Sequence, residues 1–186
     1  MKRKSIGTNY SMCVQPTFII GTYNEDNSPN FAPITWVSAT CEGKEYLLVV
    51  SMFGTKKTKQ NLIRTKSLSV NLVSVDMLDL VDYFGIAEKN TSKPEYSYEN
   101  SGFVFAPVLD KSRWVYECEV VSSVKTGASD TFFCKIKNIQ IDESIDVGGT
   151  FDVDLTKFDP VIYSGQYHSL GKHLGKIGDF LENKAK

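Results

Sequence analysis

Short apolar stretches separated by clusters of turn-forming residues run through most of this chain. Residues 17–40, TFIIGTYNEDNSPNFAPITWVSAT, read as strand, turn, strand, because NEDNSPN is rich in turn formers. In the second strand Ile34, Trp36 and Ser38 share one face, and Thr35, Val37 and Ala39 share the other. EYLLVVS is apolar on both faces, which predicts a central strand. Gly54 then permits a sharp turn. Thr55 takes the N-cap position of a short helix, KKTKQNLIRT, with Leu62 and Ile63 facing inward. In SLSVNLV the alternation of Leu68, Val70 and Leu72 predicts another strand. SVDMLDLVDYFG carries the clearest helical signal: Met77, Leu80, Val81 and Phe84 stand at i, i+3, i+4 and i+7. Ser74 is placed to cap its start and Gly85 to end it.

Residues 86–112 contain Pro94, Gly102, Pro107 and several aromatics. They predict an irregular segment, longer than an ordinary connection, of the kind used as a lid or binding loop. RWVYECEVVSSVKTG and TFFCKIKNIQID predict two antiparallel strands joined through KTGASD. DPVIYSG predicts a last short strand, and KHLGKIGDFLENK a weak helix whose glycines lower its propensity. Hairpins dominate, and helices do not alternate regularly with strands. The fold class is therefore mainly β with short helices (α+β). A closed or partly closed antiparallel barrel of about six or seven strands is the economical architecture.

Composition narrows the class. The chain has 186 residues, read as one domain over 1–186 with a tail from about residue 172. A net charge of −1 argues against a nucleic-acid or membrane-surface binder. Cys13, Cys41, Cys118 and Cys134 form no CxxC pair, so no zinc site is expected. His168 and His173 stand five residues apart and do not share a helical face, so no metal is assigned to them. Cys41 reads as a buried inert thiol, and Cys118 and Cys134 as strand residues of the core. The basic start MKRKSIGTNY has no apolar segment, and no run approaches a membrane span. The expectation is a reduced, soluble, cytoplasmic protein.

The distinctive chemistry lies in SMFGTKKTKQNL, residues 51–62. Thr55, Lys56, Lys57, Thr58 and Lys59 put a donor on each of five successive side chains. Backbone N–H groups at a helix start carry partial positive charge, and with hydroxyl and ammonium groups they suit a phosphate. The segment is neither a Walker A loop nor a dinucleotide fingerprint. A solvated basic helix start is the competing reading.

The order of the parts supports the phosphate. GTYNEDNSPNFAPITWVSAT, SMFGTKKTKQNL, SLSVNLV, LDLVDYFG and DPVIYSGQYHSLG occur in sequence over residues 17–171. This set resembles the flavin reductase-like family of split-barrel FMN-binding proteins, which includes the flavoredoxins. The resemblance implies that the FMN phosphate lies at Ser51, Lys56, Lys57, Thr58 and Asn61. Lys56-Lys57-Thr58 stands where family members often carry Arg-Lys-Thr, so a point charge replaces a planar fork. It implies that the flavin ring rests against Asn30, Phe31, Ala32, Pro33, Thr35, Trp36, Val37 and Ser38. His168 takes the place of a tail aromatic and is a candidate contact. The resemblance further implies NAD(P)H as co-substrate and a flavin, metal complex or protein as electron acceptor, or alternatively a non-enzymatic FMN-binding electron carrier that uses no nicotinamide. It also implies a homodimer, with residues 86–112 and the tail as candidates for covering the partner's cofactor. No side-chain acid or base is needed for hydride transfer, so no catalytic residue is named.

Overall fold

The computed structural model describes residues 3–5, 7–8, 14–86, 92–148 and 153–175. In chain order the strands and helices are β1 (Gln15–Pro16), β2 (Phe18–Tyr23), β3 (Pro29–Ile34), β4 (Val37–Glu42), β5 (Glu45–Phe53), α1 (Lys57–Thr65) and β6 (Ser67–Leu72). A 3-10 turn at Val75–Met77 leads into α2 (Leu78–Ile86). There follow β7 (Tyr98–Asn100), β8 (Pro107–Leu109), β9 (Trp114–Thr126), β10 (Ser129–Ile141), α3 (Leu155–Phe158), β11 (Val161–Tyr163) and β12 (Tyr167–Ser169).

Seven strands form one antiparallel sheet in the order β3-β2-β6-β9-β10-β5-β4. One face of this sheet closes on itself. Phe18, Ile20, Ile34, Leu48, Val50, Met52, Leu68, Val70, Cys118, Phe132 and Cys134, from β2, β3, β5, β6, β9 and β10, share a single buried cluster. Leu62 of α1 joins them with no exposure, so α1 stops one end of the barrel. Burying a leucine in this way stabilises by about 1.5–3 kcal/mol. The second cluster lies on the outside, where Met77, Leu80 and Val81 pack with Ile19, Phe31 and Leu109.

Several expectations need correction. The stretch read as one strand from Asn30 to Thr40 is two strands. β3 ends at Ile34 and pairs with β2, whereas β4 begins at Val37 and pairs with β5. Consecutive strands thus lie at opposite ends of the sheet, and Thr35 and Trp36 carry the chain across. Ile34 and Val37, three positions apart, both pack in the barrel core, so side-chain facing changes parity at the crossing. The expected faces, with Ile34, Trp36 and Ser38 on one and Thr35, Val37 and Ala39 on the other, do not hold across it. Pro33 fits this arrangement, because β3 is an edge strand and can lack a donor.

The helix after Gly54 starts at Lys57 with Lys56 as N-cap, not Thr55. Ile63 points outward at 52% exposure, while Thr58, Asn61 and Leu62 form the buried stripe. Lys66 ends α1 in a left-handed conformation and donates its N–H to Leu62 O at 3.0 Å. α2 continues one residue past Gly85. The segment 86–112 is not wholly irregular: β7 and β8 pair as a small hairpin. Cys41 lies exposed on the edge strand β4, contrary to its reading as buried. Cys118 and Cys134 are buried as read, and burial pushes both thiols up, Cys134 to about 12. Of the expected tail helix, residues 172–175 are not helical, and the rest lies outside the described residues.

The β7–β8 hairpin lies flat on the outside of β2 and β6. Ser69 Oγ donates to Pro107 O, and Asn71 Oδ1 accepts the Leu109 N–H at 3.0 Å. Asn71 Nδ2 donates to Ile19 O at 2.9 Å. These buried polar groups are satisfied, which is why polar residues can occupy alternate positions of β6.

Candidate functional site

The seam between β3 and β4 opens into a cavity of about 680 Å³. The ends of β3 and β5, the crossing between β3 and β4, and the turn before α1 supply its walls. Pro33, Ile34, Trp36, Met52 and Phe53 contribute apolar lining, and Thr35, Ser51, Thr55 and Lys56 polar lining. The volume falls within the range of about 300–1,000 Å³ typical of cofactor sites.

Local geometry explains how these parts meet. The Ser51 N–H donates to Trp36 O at 2.9 Å, so the crossing is pinned to β5. The Ser51 hydroxyl lies 2.8 Å from the Thr131 hydroxyl of β10. Gly54 turns the chain with φ of +73°, a conformation that favours glycine. α1 then begins with no side-chain cap and no acidic residue in its first turn. The positive end of its dipole therefore faces no carboxylate from its own first turn.

Of the residues singled out from sequence, the structure brings Pro33, Thr35, Trp36, Ser51 and Lys56 together around the cavity. Lys57 is exposed at the first position of α1, one residue beyond the lining set. Two hydrogen bonds from Ser28, with a smaller effect from Lys57, hold the Asp26 carboxyl below its ordinary range. Thr58 and Asn61 are almost fully buried. Asn30 Nδ2 donates to Thr58 Oγ1 at 2.9 Å and to Thr22 Oγ1 at 3.1 Å. Asn61 Nδ2 donates to Asn24 Oδ1 at 2.9 Å and to Thr22 Oγ1 at 3.2 Å. This amide and hydroxyl network fastens α1 to the β2–β3 hairpin.

The remaining residues lie apart from the cavity lining. Phe31 sits in the outer aromatic cluster, with ring centroids 5.3 Å from Phe84 and 6.1 Å from both Tyr96 and Tyr98. Ala32 is half-buried on β3. Val37 packs against the barrel core, and Ser38 is exposed on β4. His168 is exposed on β12, opposite Ile162. Among the described residues, no group of three or more His, Cys, Asp or Glu side chains is placed to hold a metal. No helix there is long and apolar enough to cross a membrane.

The neighbour of His168 ties the last hairpin to α2. The Tyr167 hydroxyl donates to Asp82 Oδ1 at 3.0 Å. Burial, and then this bond, push its pKa from 10.0 up to about 12. A raised folded-state value favours the neutral phenol, so the linked stability is fully present below pH 10 and is lost as pH rises through about 12. An absorbance titration of tyrosinate should show a late-ionising step near pH 12 that Tyr167→Phe removes. Loss of no such step in the variant contradicts the contact.

Similarity to known proteins bears on this cavity. The flavin reductase like domain matches residues 10–171. The chain belongs to the flavin reductase-like family. Flavoredoxin from Methanosarcina acetivorans shares the fold with a TM-score of 0.84 at 21% identity, over 98% of this chain and 100% of that one. Flavoredoxin of Desulfovibrio vulgaris (Miyazaki F) gives a TM-score of 0.83 at 22% identity, over 96% and 98%. The architecture of this family member is accordingly an antiparallel split barrel. The FMN reductase (NADH) RutF of Pseudomonas syringae pv. syringae is 30% identical over 78 residues, 42% of this chain and 44% of that protein. The match spans less than half the length of that relative.

Reading the sequence missed Ile34, Met52 and Phe53 as cavity walls. Phe53 left one signal, since a large aromatic at a strand end directly before a turn glycine is hard to place in a core. Ile34 and Met52 left none. Both are apolar residues of strands, and both are buried.

Proposed function

We propose that the chain is an FMN-binding oxidoreductase that accepts hydride from NADH or NADPH. Its electrons pass on to a second flavin, a metal complex or a protein. The supporting observation is the mixed polarity of the cavity, whose lining joins aromatic and apolar side chains to the turn that leads through Lys56 into an uncapped helix start. FMN has the same polarity, with a flat ring at one end and a phosphate dianion at the other. Bound FMN would supply the hydride and electron transfer chemistry itself.

The residues of this chain would bind and orient it. Lys56, Lys57 and the first N–H groups of α1 hold the phosphate through charge-assisted bonds. Trp36, Pro33 and Met52 offer the ring an apolar surface, and Thr35 with nearby backbone groups offers hydrogen-bond partners for its polar edge. The similarity to a relative named FMN reductase (NADH) supports nicotinamide as donor. The flavoredoxin folds support a second reading, an FMN-binding electron carrier that uses no nicotinamide.

Anaerobic mixing separates the two. The FMN-loaded protein is expected to bleach in its visible flavin band within seconds of adding NADH or NADPH. A yellow complex that persists with both nucleotides rejects the reductase and favours the carrier. A purified chain that takes up no FMN rejects both.

A further inference from the structure

Of the three lysines in the turn, Lys59 is built in differently from the other two. Its side chain is 13% exposed, and that of its ion-pair partner Asp130 is 14% exposed. Lys59 Nζ pairs with the Asp130 carboxylate and donates to Gly54 O at 3.0 Å and to Ala128 O at 3.3 Å. The three donors of the ammonium are thereby engaged by three oxygens. The Gly54 N–H adds a bond to Ala128 O at 3.0 Å. Three contacts thus join this turn and the start of α1 to the tip of the β9–β10 hairpin, and the fourth, Lys59 to Gly54 O, ties the lysine to the turn itself.

The position of that turn matters because Gly54, Thr55 and Lys56 line the cavity at the end where α1 begins. A turn joining a strand to a helix can swing about its glycine. Here the Lys59 ammonium holds the Gly54 carbonyl, and the neighbouring hairpin holds the ammonium. We infer that the Lys59–Asp130 pair is a positioning latch, which fixes the turn against the β9–β10 tip and so sets the preference for a phosphorylated over an unphosphorylated flavin. This rests on the proposed FMN site.

Charge alone and positioning make opposite predictions. Lys59→Met removes a positive charge near the phosphate, and Asp130→Asn removes a negative one. If only the field mattered, the first would weaken FMN binding and the second would strengthen it. A latch is broken by either change, so both weaken it. Riboflavin lacks the phosphate and reports the remainder of the cavity.

The test is to measure FMN and riboflavin affinities by flavin fluorescence quenching for the full chain and both variants, alongside thermal unfolding. The expected result is that FMN affinity falls about tenfold in both variants through lost preorganisation, while riboflavin affinity stays unchanged. Asp130→Asn retains the lysine residue while removing its carboxylate partner, and carries the test if Lys59→Met does not fold. Tighter FMN binding in Asp130→Asn overturns the latch, as does an equal fall for both ligands. A native chain that prefers FMN, with variants that keep this preference, overturns the latch and leaves the FMN site standing. A native chain with no such preference overturns both.

Discussion

Gly21→Ala is expected to destabilise the protein by about 3 kcal/mol or more, at the upper end of overpacking costs. A Cβ at this position of β2 would lie 2.3 Å from Pro107 O, 2.4 Å from Ser69 Oγ and 2.9 Å from Phe31 Cε1. Two of the three obstacles are the partners of one buried hydrogen bond, and the first is backbone. Relief requires the β7–β8 hairpin to lift, which breaks the Ser69 bond and uncovers Asn71. For a chain of this size, about 3 kcal/mol lowers the unfolding midpoint by roughly 6–12 °C. Thermal denaturation checks it, and an unchanged midpoint shows that the hairpin does not lie on Gly21. Ser69→Ala in the same background should recover only part of the loss, because the Pro107 carbonyl still blocks the methyl.

Lys56→Ala is expected to reduce FMN affinity at least tenfold while leaving riboflavin affinity unchanged. A hydrogen bond to a charged group contributes about 1.5–3 kcal/mol, which corresponds to about tenfold or more in affinity. Lys57→Ala should have a smaller effect, since Lys57 is exposed and lies outside the cavity lining. Thr58→Ala belongs to a different class. Its hydroxyl accepts from Asn30 and is buried, so its loss leaves the Asn30 amide with only its bond to Thr22 and lowers stability first. Titrations of FMN at low and high salt separate these cases. The lysine effects should shrink as ionic strength rises, and a Lys56→Ala variant that binds FMN as the native chain does defeats the phosphate assignment.

The two predictions lie at different depths of legibility. The strand-and-hairpin content was readable because Leu68, Val70 and Leu72 alternate and because NEDNSPN and KTGASD punctuate the pattern. Which strand pairs with which was not readable, and the break between Ile34 and Val37 shows why. The apolar run from Phe31 to Ile34 and the Trp36-Val37 pair hide a change of facing, since Ile34 and Val37 both pack in the barrel core while the chain changes its hydrogen-bonding partner. Donors in the basic turn were visible as residue types, but their division of labour was not. Lys59 and Lys57 differ by one helical half-turn, which sends one against Asp130 and leaves the other in solvent. Asn61 is placed at the phosphate by the family resemblance, and Thr58 by that resemblance together with its hydroxyl in the basic turn. Their burial depends on Asn24, Asn30 and Thr22, which lie more than twenty residues earlier.

The passage of the chain through Thr35 and Trp36 has one more consequence. β3 and β4 stand at the two ends of the strand order, each with a ladder partner on one side, so main-chain groups on their outer edges must find partners outside the ladder. A heterocycle lodged there can be read by peptide groups, whose placement is indifferent to side-chain identity. Recognition of that kind tolerates drift in the surrounding residues, and proline is the one replacement that deletes a donor outright.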